Sequence, residues 1–316
     1  MQAFRKSRGQ SGFTLMELLI VIAVLGLLLG MLIPRLAGVT DDTVDTVCDT
    51  NNKGVRYFTQ MYQNKYGSLP NGLTNLVNDD GASLPEMEDT FADSPDGDAE
   101  AMAWEFWSRN WPGLYALNAD EVSELREMGI TQVYNLNDVD GRPMNRANLA
   151  EGTGVMMMGM EAADATSAPS WVNSVDENGD DSGLSVVSGD VALGNPHFLG
   201  RIMLAVNENC DLIKKGMIQA SALCPGAVLH EENFTHKEYI LVMPRLEATI
   251  DRLVDGAVIA SESVDLVFVE DPTDTDSKQF EVTFEAQESW AFDMTCPEGH
   301  KWPDFDEDSW FYDSGL

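Results

Sequence analysis

Glu17 stands at the entrance to an uncharged run, Leu18 to Ile33, that is long enough to enter a bilayer. An acid at a helix centre costs about 2.5–3.5 kcal/mol on insertion scales. Pairing with a cation removes much of that penalty, so this carboxylate calls for a positively charged partner. Ahead of it lies a short basic leader with Arg5, Lys6 and Arg8. The second set of reactive side chains is Cys48, Cys210, Cys224 and Cys296, all beyond the apolar run. Basic residues before that run and Asp41, Asp42 and Asp45 after it follow the positive-inside rule, which places the remainder outside the cytoplasm. An even cysteine count in that setting reads as disulfides rather than thiols. Cys210–Cys224 is the preferred pair, closing a loop that contributes about 3 kcal/mol in the chain-entropy view. Cys48–Cys296 then ties the C-terminal tail to the first helix. Three pairings are possible, and spacing does not choose among them.

Other clusters offer less chemistry. Asp176, Asn178, Asp180 and Asp181 alternate like the start of a calcium loop. The sixth position lacks the required glycine, however, and Val187 occupies the twelfth, where an EF-hand carries a bidentate glutamate. Asp176, Asn178 and Asp180 therefore stand as candidates for a looser calcium site, as do Asp138 with Asp140 and the Asp271–Asp276 loop. A solvated acidic loop is the competing reading at each place. Cys296 and His300 have a spacing that zinc could use, with His230 and His236 upstream, but a single Cys–His pair is outweighed by a disulfide. The Met156-Met157-Met158-Gly159-Met160 cluster reads as adaptable apolar packing. The chain carries no phosphate-binding glycine loop and no GxSxG turn, and its carboxylates are too numerous for one pair to stand out. An enzyme is not expected.

Composition narrows the partners. The 316 residues include 19 basic and 53 acidic side chains, a net charge of −34, and 44% are hydrophobic. Such a chain folds, and its surface repels nucleic acid and anionic headgroups while attracting cations. No nucleic-acid partner is expected.

Met1–Pro34 closely resembles the class III signal of type IV pilins and type II secretion pseudopilins, with Gly12-Phe13-Thr14-Leu15-Met16-Glu17 as its core. A cleaved secretory signal and a plain uncleaved anchor are the competing readings, and neither accounts for Glu17. The resemblance implies that a prepilin peptidase cuts after Gly12 and methylates Phe13. It further implies that Glu17 neutralises the amino group of Phe13 on a neighbouring subunit. Gly26 and Pro34 match positions where pilin helices lose regular hydrogen bonding in assembled filaments. Glycine favours the unfolded backbone and proline removes a donor. Gly26 and Gly30 also form a small-xxx-small pair suited to close helix contact.

The elements that position these groups follow from periodicity. Val44, Val47, Val55, Phe58, Tyr62 and Tyr66 fall near one helical stripe, interrupted by Asn51, and this stripe is the expected packing face. Gly67-Ser68-Leu69-Pro70 ends the helix. The run from Tyr66 to Val77 looks like the loop after the first helix in many pseudopilins, which extends the resemblance to about residue 77. Trp104, Trp107 and Trp111 recur at helical spacing and read as core. Asn118 caps a helix whose Glu121 stands three residues on, and Gly129 closes it. Ile130–Leu136, Arg201–Val206, Tyr239–Met243, Val264–Val269 and Phe280–Phe284 read as strands. Helices early and strands late predict an α+β fold: a long N-terminal hydrophobic helix carrying a C-terminal head built on an antiparallel sheet.

The expected organisation is a leader over 1–12, a membrane and filament-core helix over 13–34, its continuation over 35–66, and an extracytoplasmic head over 67–316, with sublobes 67–190 and 191–316. The resemblance implies a single-pass inner-membrane precursor that packs with homologous subunits into a pilus or pseudopilus, at the cell surface or in the periplasm. The large head suggests a minor subunit. A pilin-anchored binding protein, adhesin or substrate-recruiting module, is the alternative.

Overall fold

The computed structural model describes residue 19 and residues 46–78, 81, 112–136, 143–172, 192–193, 197–221, 223–225, 237–259, 263–269, 278–297 and 309–312. The chain divides into two units, Met1–Thr46 and Val47–Leu316, and the fold that follows is that of the second.

Helix α1 runs through 46–66 and stops where Gly67 adopts a φ of +69°. Its buried positions are Cys48, Asn52, Val55, Thr59 and Tyr62, spaced by four and three residues. The packing face is thus rotated from the expected stripe: Val47 and Tyr66 are exposed, and Asn52 and Thr59 lie inside. Both polar residues are satisfied there. Asn52 Nδ2 donates to Met294 O at 3.2 Å, and Thr59 Oγ1 donates back to Val55 O at 2.9 Å. A small polar side chain with its hydrogen bond made costs little to bury, so apolarity alone misplaces the stripe.

The main sheet has eight strands. Its path runs β13 (Asp293–Thr295), β10 (Ile240–Val242), β9 (Ile202–Ala205), β1 (Leu73–Thr74), β3 (Gln132–Leu136) and β4 (Pro143–Asn148), while β5 (Gly154–Met158) joins β9 and carries β2 (Pro112–Ala116). The pairs are antiparallel except β1 with β3, which run parallel. The sheet is therefore mixed, a correction to the antiparallel expectation, and its strands come from both sides of residue 190. The parallel pair arises because the loop leaving α1, the stem helix, supplies β1, and helix α2 (Ala119–Glu127) lies between it and β3. The α+β class itself holds.

Strands β5, β9 and β10 are unbroken apolar runs because both faces of the sheet are covered. Val155, Met157, Ile202, Leu204 and Leu241 enter one core cluster, and Met156, Met158, Met203, Ile240 and Val242 enter the other. That is the period-two alternation of a strand, and it places the methionine run as core on both faces. The first cluster also holds Cys48, Val55 and Tyr62 of α1, Val122 and Leu125 of α2 (Ala119–Glu127), and Leu253 of α4 (Glu247–Asp255).

Outside the main sheet, β6 (Met160–Glu161) pairs with β7 (Ser170–Trp171). A four-stranded antiparallel sheet takes the order β12 (Lys278–Thr283), β11 (Ser263–Val269), β14 (Ser309–Tyr312) and β8 (Ala192–Leu193). One short helix, α3 (Asp211–Lys214), completes the named elements.

Candidate functional site

One polar cluster joins the end of α1 to α3. Tyr62 Oη donates to Asp211 Oδ2 at 2.9 Å, and Lys215 closes the group through Asp211 at 2.9 Å and through the Tyr62 hydroxyl. Burial, ahead of its charged neighbours, pushes the Tyr62 hydroxyl above its ordinary pKa. The hydrogen bonds to Tyr62 and Asp211 push Lys215 up. Further along the stem, Arg56 Nη2 lies 3.2 Å from Asp293 Oδ1, while Arg201 Nη1 lies 2.9 Å from Asp293 Oδ2. Asp293 therefore bridges a stem cation and a head cation. Arg201 is fully buried, and its remaining donors reach Met243 O, Val242 O and Ala291 O at 2.7, 3.2 and 2.8 Å. Burial lowers its pKa, with Asp293 opposing the shift.

The loop after the stem is the hub of the fold. Asn71 Oδ1 accepts from the amides of Thr131 and Gln132, and Asn71 O accepts from the Asp211 amide. Asn207 Nδ2 donates to Gly72 O and to Thr74 Oγ1. Gly72 has a φ of +76°, and a Cβ there would meet Asn209 O at 3.0 Å. The stretch that resembles the pseudopilin loop thus anchors β3, β9 and α3 to the stem's end.

The cysteines are arranged differently from expectation. Among the described residues no disulfide joins any of the four. Cys48 on α1, Cys224 beside β10 and Cys296 just past β13 bring their sulfurs within 4.8 Å of one another, with Cys48 and Cys224 at 3.7 Å. Cys210 is not in this cluster, so the Cys210–Cys224 pairing is corrected. Its Sγ accepts from the Leu212 amide at 3.3 Å and caps α3, and burial pushes the thiol up to about 11. The preferred pairing fails because the Cys224 segment folds back along Lys237–Glu238 and meets Cys48 of α1.

A second polar centre joins α2 and α4. Glu121 closes the predicted capping box with Asn118 and then accepts from Tyr115 Oη at 2.8 Å, Thr249 Oγ1 at 2.9 Å and Arg252 Nη1 at 3.0 Å. Burial, followed by the Glu121 charge, pushes the Tyr115 hydroxyl far up. Glu124 reaches across to cap α4, accepting from the Glu247 and Ala248 amides at 3.1 and 3.0 Å, since Leu246 at the N-cap has no acceptor of its own. An open groove there is lined by Asp120, Glu124 and Glu127 of α2 and Glu247, Asp251 and Asp255 of α4. Its charge suits cations or basic chains. Sequence reading missed these roles, and only the capping-box spacing pointed at Glu121.

Gly12, Phe13, Glu17, Gly26 and Pro34 lie outside the described residues, as do Asp176, Asn178 and Asp180, the other acidic loops, His230, His236, His300 and the Trp104–Trp111 stripe. Among the described residues no helix is long and apolar enough to cross a membrane.

Comparison with known proteins supplies the class. Residues 7–33 match the prokaryotic N-terminal methylation motif. The chain is 33% identical over 76 residues to a type II secretion system core protein G from Aeromonas hydrophila, covering 23% of this chain and 53% of that protein. It is 40% identical over 72 residues to the type IV wide pilus major component PilA4 of Thermus thermophilus, covering 22% and 55%. The chain thus spans about half the length of the curated relatives it matches. No solved structure matches it. The N-terminal part of this chain is thus similar to type IV pilins and type II secretion pseudopilins.

Proposed function

We propose that the protein is a structural subunit of a type IV pilus-like or type II secretion pseudopilus filament. On this reading residues 1–12 are removed after Gly12, Phe13 is N-methylated, and 13–34 anchors the precursor in the inner membrane before entering the filament core. Glu17 neutralises the Phe13 amine of an adjoining subunit. The bulky head of 67–316 faces outward, which suits a minor subunit.

The methylation motif over residues 7–33 supports this reading, and one feature of the stem carries it. Opposite the buried face of α1, Val47, Thr50, Gly54, Tyr57 and Met61 recur at three- and four-residue spacing. Val47, Tyr57 and Met61 are 42, 59 and 40% exposed. Nothing lies within 4 Å of a Cβ placed at Gly54. A stem with one face sealed by its own head and a heptad-like seam on the other suits packing against the stems of neighbouring copies.

Mass spectrometry of the native N-terminus tests the reading directly. A chain beginning with methylated Phe13 is expected, and one beginning downstream of Pro34 shows removal of an ordinary export signal instead. Glu17→Leu is expected to process normally yet fail to polymerise. Wild-type filament yield from that variant overturns the role given to Glu17.

A further inference from the structure

The filament reading gives the three converging cysteines no role. Cys48, Cys224 and Cys296 come from segments remote in sequence, and all three are buried, at 0, 2 and 0% exposure. Their positions are held independently: Cys48 by the buried stripe of α1, Cys224 by the hydrogen bond its amide donates to Lys237 O at 2.8 Å, and Cys296 one residue beyond the Ile240–Thr295 strand pair.

The geometry points to a thiophilic metal site, in which the sulfurs of Cys48, Cys224 and Cys296 bind one zinc or monovalent copper ion that staples the stem to the head. Two magnitudes decide between this and a disulfide. A disulfide needs its sulfurs about 2.05 Å apart, whereas a metal–thiolate bond of about 2.3 Å in tetrahedral or trigonal geometry sets sulfurs roughly 3.7–4.0 Å apart. The Cys48–Cys224 separation is 3.7 Å, and no pair exceeds 4.8 Å. A disulfide also has use for two sulfurs and leaves the third beside it. Mutual approach of all three is what a shared ion requires.

Soft thiolates select zinc and monovalent copper over harder cations. Each ligating thiol releases its proton to solvent, so loading frees up to three protons per ion and strengthens as pH rises. Tyr239 Oη lies 3.1 Å from Cys48 O and 3.5 Å from Cys48 Sγ. Its proton can turn from the carbonyl to the sulfur once that sulfur is a thiolate, stabilising the ligand charge as an outer hydrogen bond does in metal centres. Oxidation in an extracytoplasmic compartment is the competing fate of these thiols. It would form one disulfide, release two protons and pass two electrons to an oxidant, leaving no donor set for a metal.

The test uses full-length protein purified in detergent without chelator, then reduced anaerobically and loaded separately with zinc(II) alone or copper(I) alone. About one equivalent of one ion is expected after desalting, together with a higher melting temperature than the chelator-treated sample. The arm that retains its ion identifies the metal. Cys224→Ser and Cys296→Ser are expected to lose retention at least tenfold, whereas Cys210→Ser, outside the cluster, keeps it. Cobalt(II) added to the wild type gives a second readout free of mutant folding: a sulfur-to-cobalt charge-transfer band in the near ultraviolet. Absence of that band, failure to retain either ion, or retention unaffected by Cys224→Ser overturns the proposal. So does a protein whose mass falls by two hydrogens through a Cys48 disulfide that anaerobic reductant cannot open.

Discussion

The stem and the head helices are fastened to the same sheet by opposite means. Helix α4 is locked to α2 through Glu121 and Arg252, whose side chains are 0 and 8% exposed, with every carboxylate oxygen engaged. Arg252 is also tied to Ala116 O, Asp164 O and Ser167 O. Helix α1 is held by small satisfied polar groups, by thiols, and by an Arg56–Asp293 pair that is 57 and 26% exposed. Buried charge permits one arrangement only, because any slip strands an ion in low dielectric. Half-exposed charge tolerates adjustment, since water replaces a lost partner. Helices α2 and α4 are thus fixed in place, while α1 keeps a compliant seat and an exposed outer face.

The contrast can be broken most severely at Glu121. Glu121→Ala strands the buried Arg252 and three other donors, and should cost about 3–5 kcal/mol in thermal or denaturant unfolding of the detergent-solubilised protein. Arg56→Ala should cost less than about 1 kcal/mol. Comparable losses from both would erase the distinction.

Gly129→Ala comes next. Gly129 has a φ of +103°, and a Cβ there would sit 2.7 Å from Ser68 Cβ and 3.0 Å from Leu69 O. The α2 terminus meets the stem's exit turn at this point, where the Leu69 amide donates to Met128 O at 2.7 Å. A loss of about 2 kcal/mol is expected from backbone strain alone.

Tyr57→Ser with Met61→Ser sharpens the comparison from the other side. Stability should change by less than about 0.5 kcal/mol, because both are exposed. Filament yield should fall severalfold by sedimentation. Unchanged yield would show that this seam is not an assembly surface.

The smallest effect is acidic. Donation from the Thr166 hydroxyl and amide and then from Ser167 holds the Asp164 carboxyl at about 2, below its ordinary 3.8. A depressed acid stabilises the fold above its unfolded pKa and loses that contribution as pH falls through the folded one. Asp164→Asn should therefore flatten the stability profile between about pH 4 and 2, with its loss of stability fully present at neutral pH and gone below about pH 2. A profile that keeps its full slope would assign the acid sensitivity elsewhere.

Much of this molecule was legible from local chemistry. The Asn118–Glu121 capping box, the Gly129 stop and the Gly67 turn were readable because the interacting atoms lie within four residues of one another. The strands at Ile202–Ala205, Ile240–Val242, Ser263–Val269 and Lys278–Thr283 followed from apolar and β-branched runs. The methionine cluster was correctly placed as packing, although its division between two core faces needed the sheet.

What the residues settled by themselves is the match to the N-terminal methylation motif over 7–33, since its information is a linear pattern of leader, glycine, aromatic, acid and apolar run. Tertiary structure alone decided which side of α1 turns inward, because the acceptor that makes Asn52 cheap to bury is Met294 O, 242 residues away. It likewise decided that Cys224 meets Cys48 rather than Cys210, and that Glu121 and Glu124 serve a second helix as well as their own. Each of these rests on a polar or thiol group whose partner is remote in the chain, and no local spacing encodes such a partner.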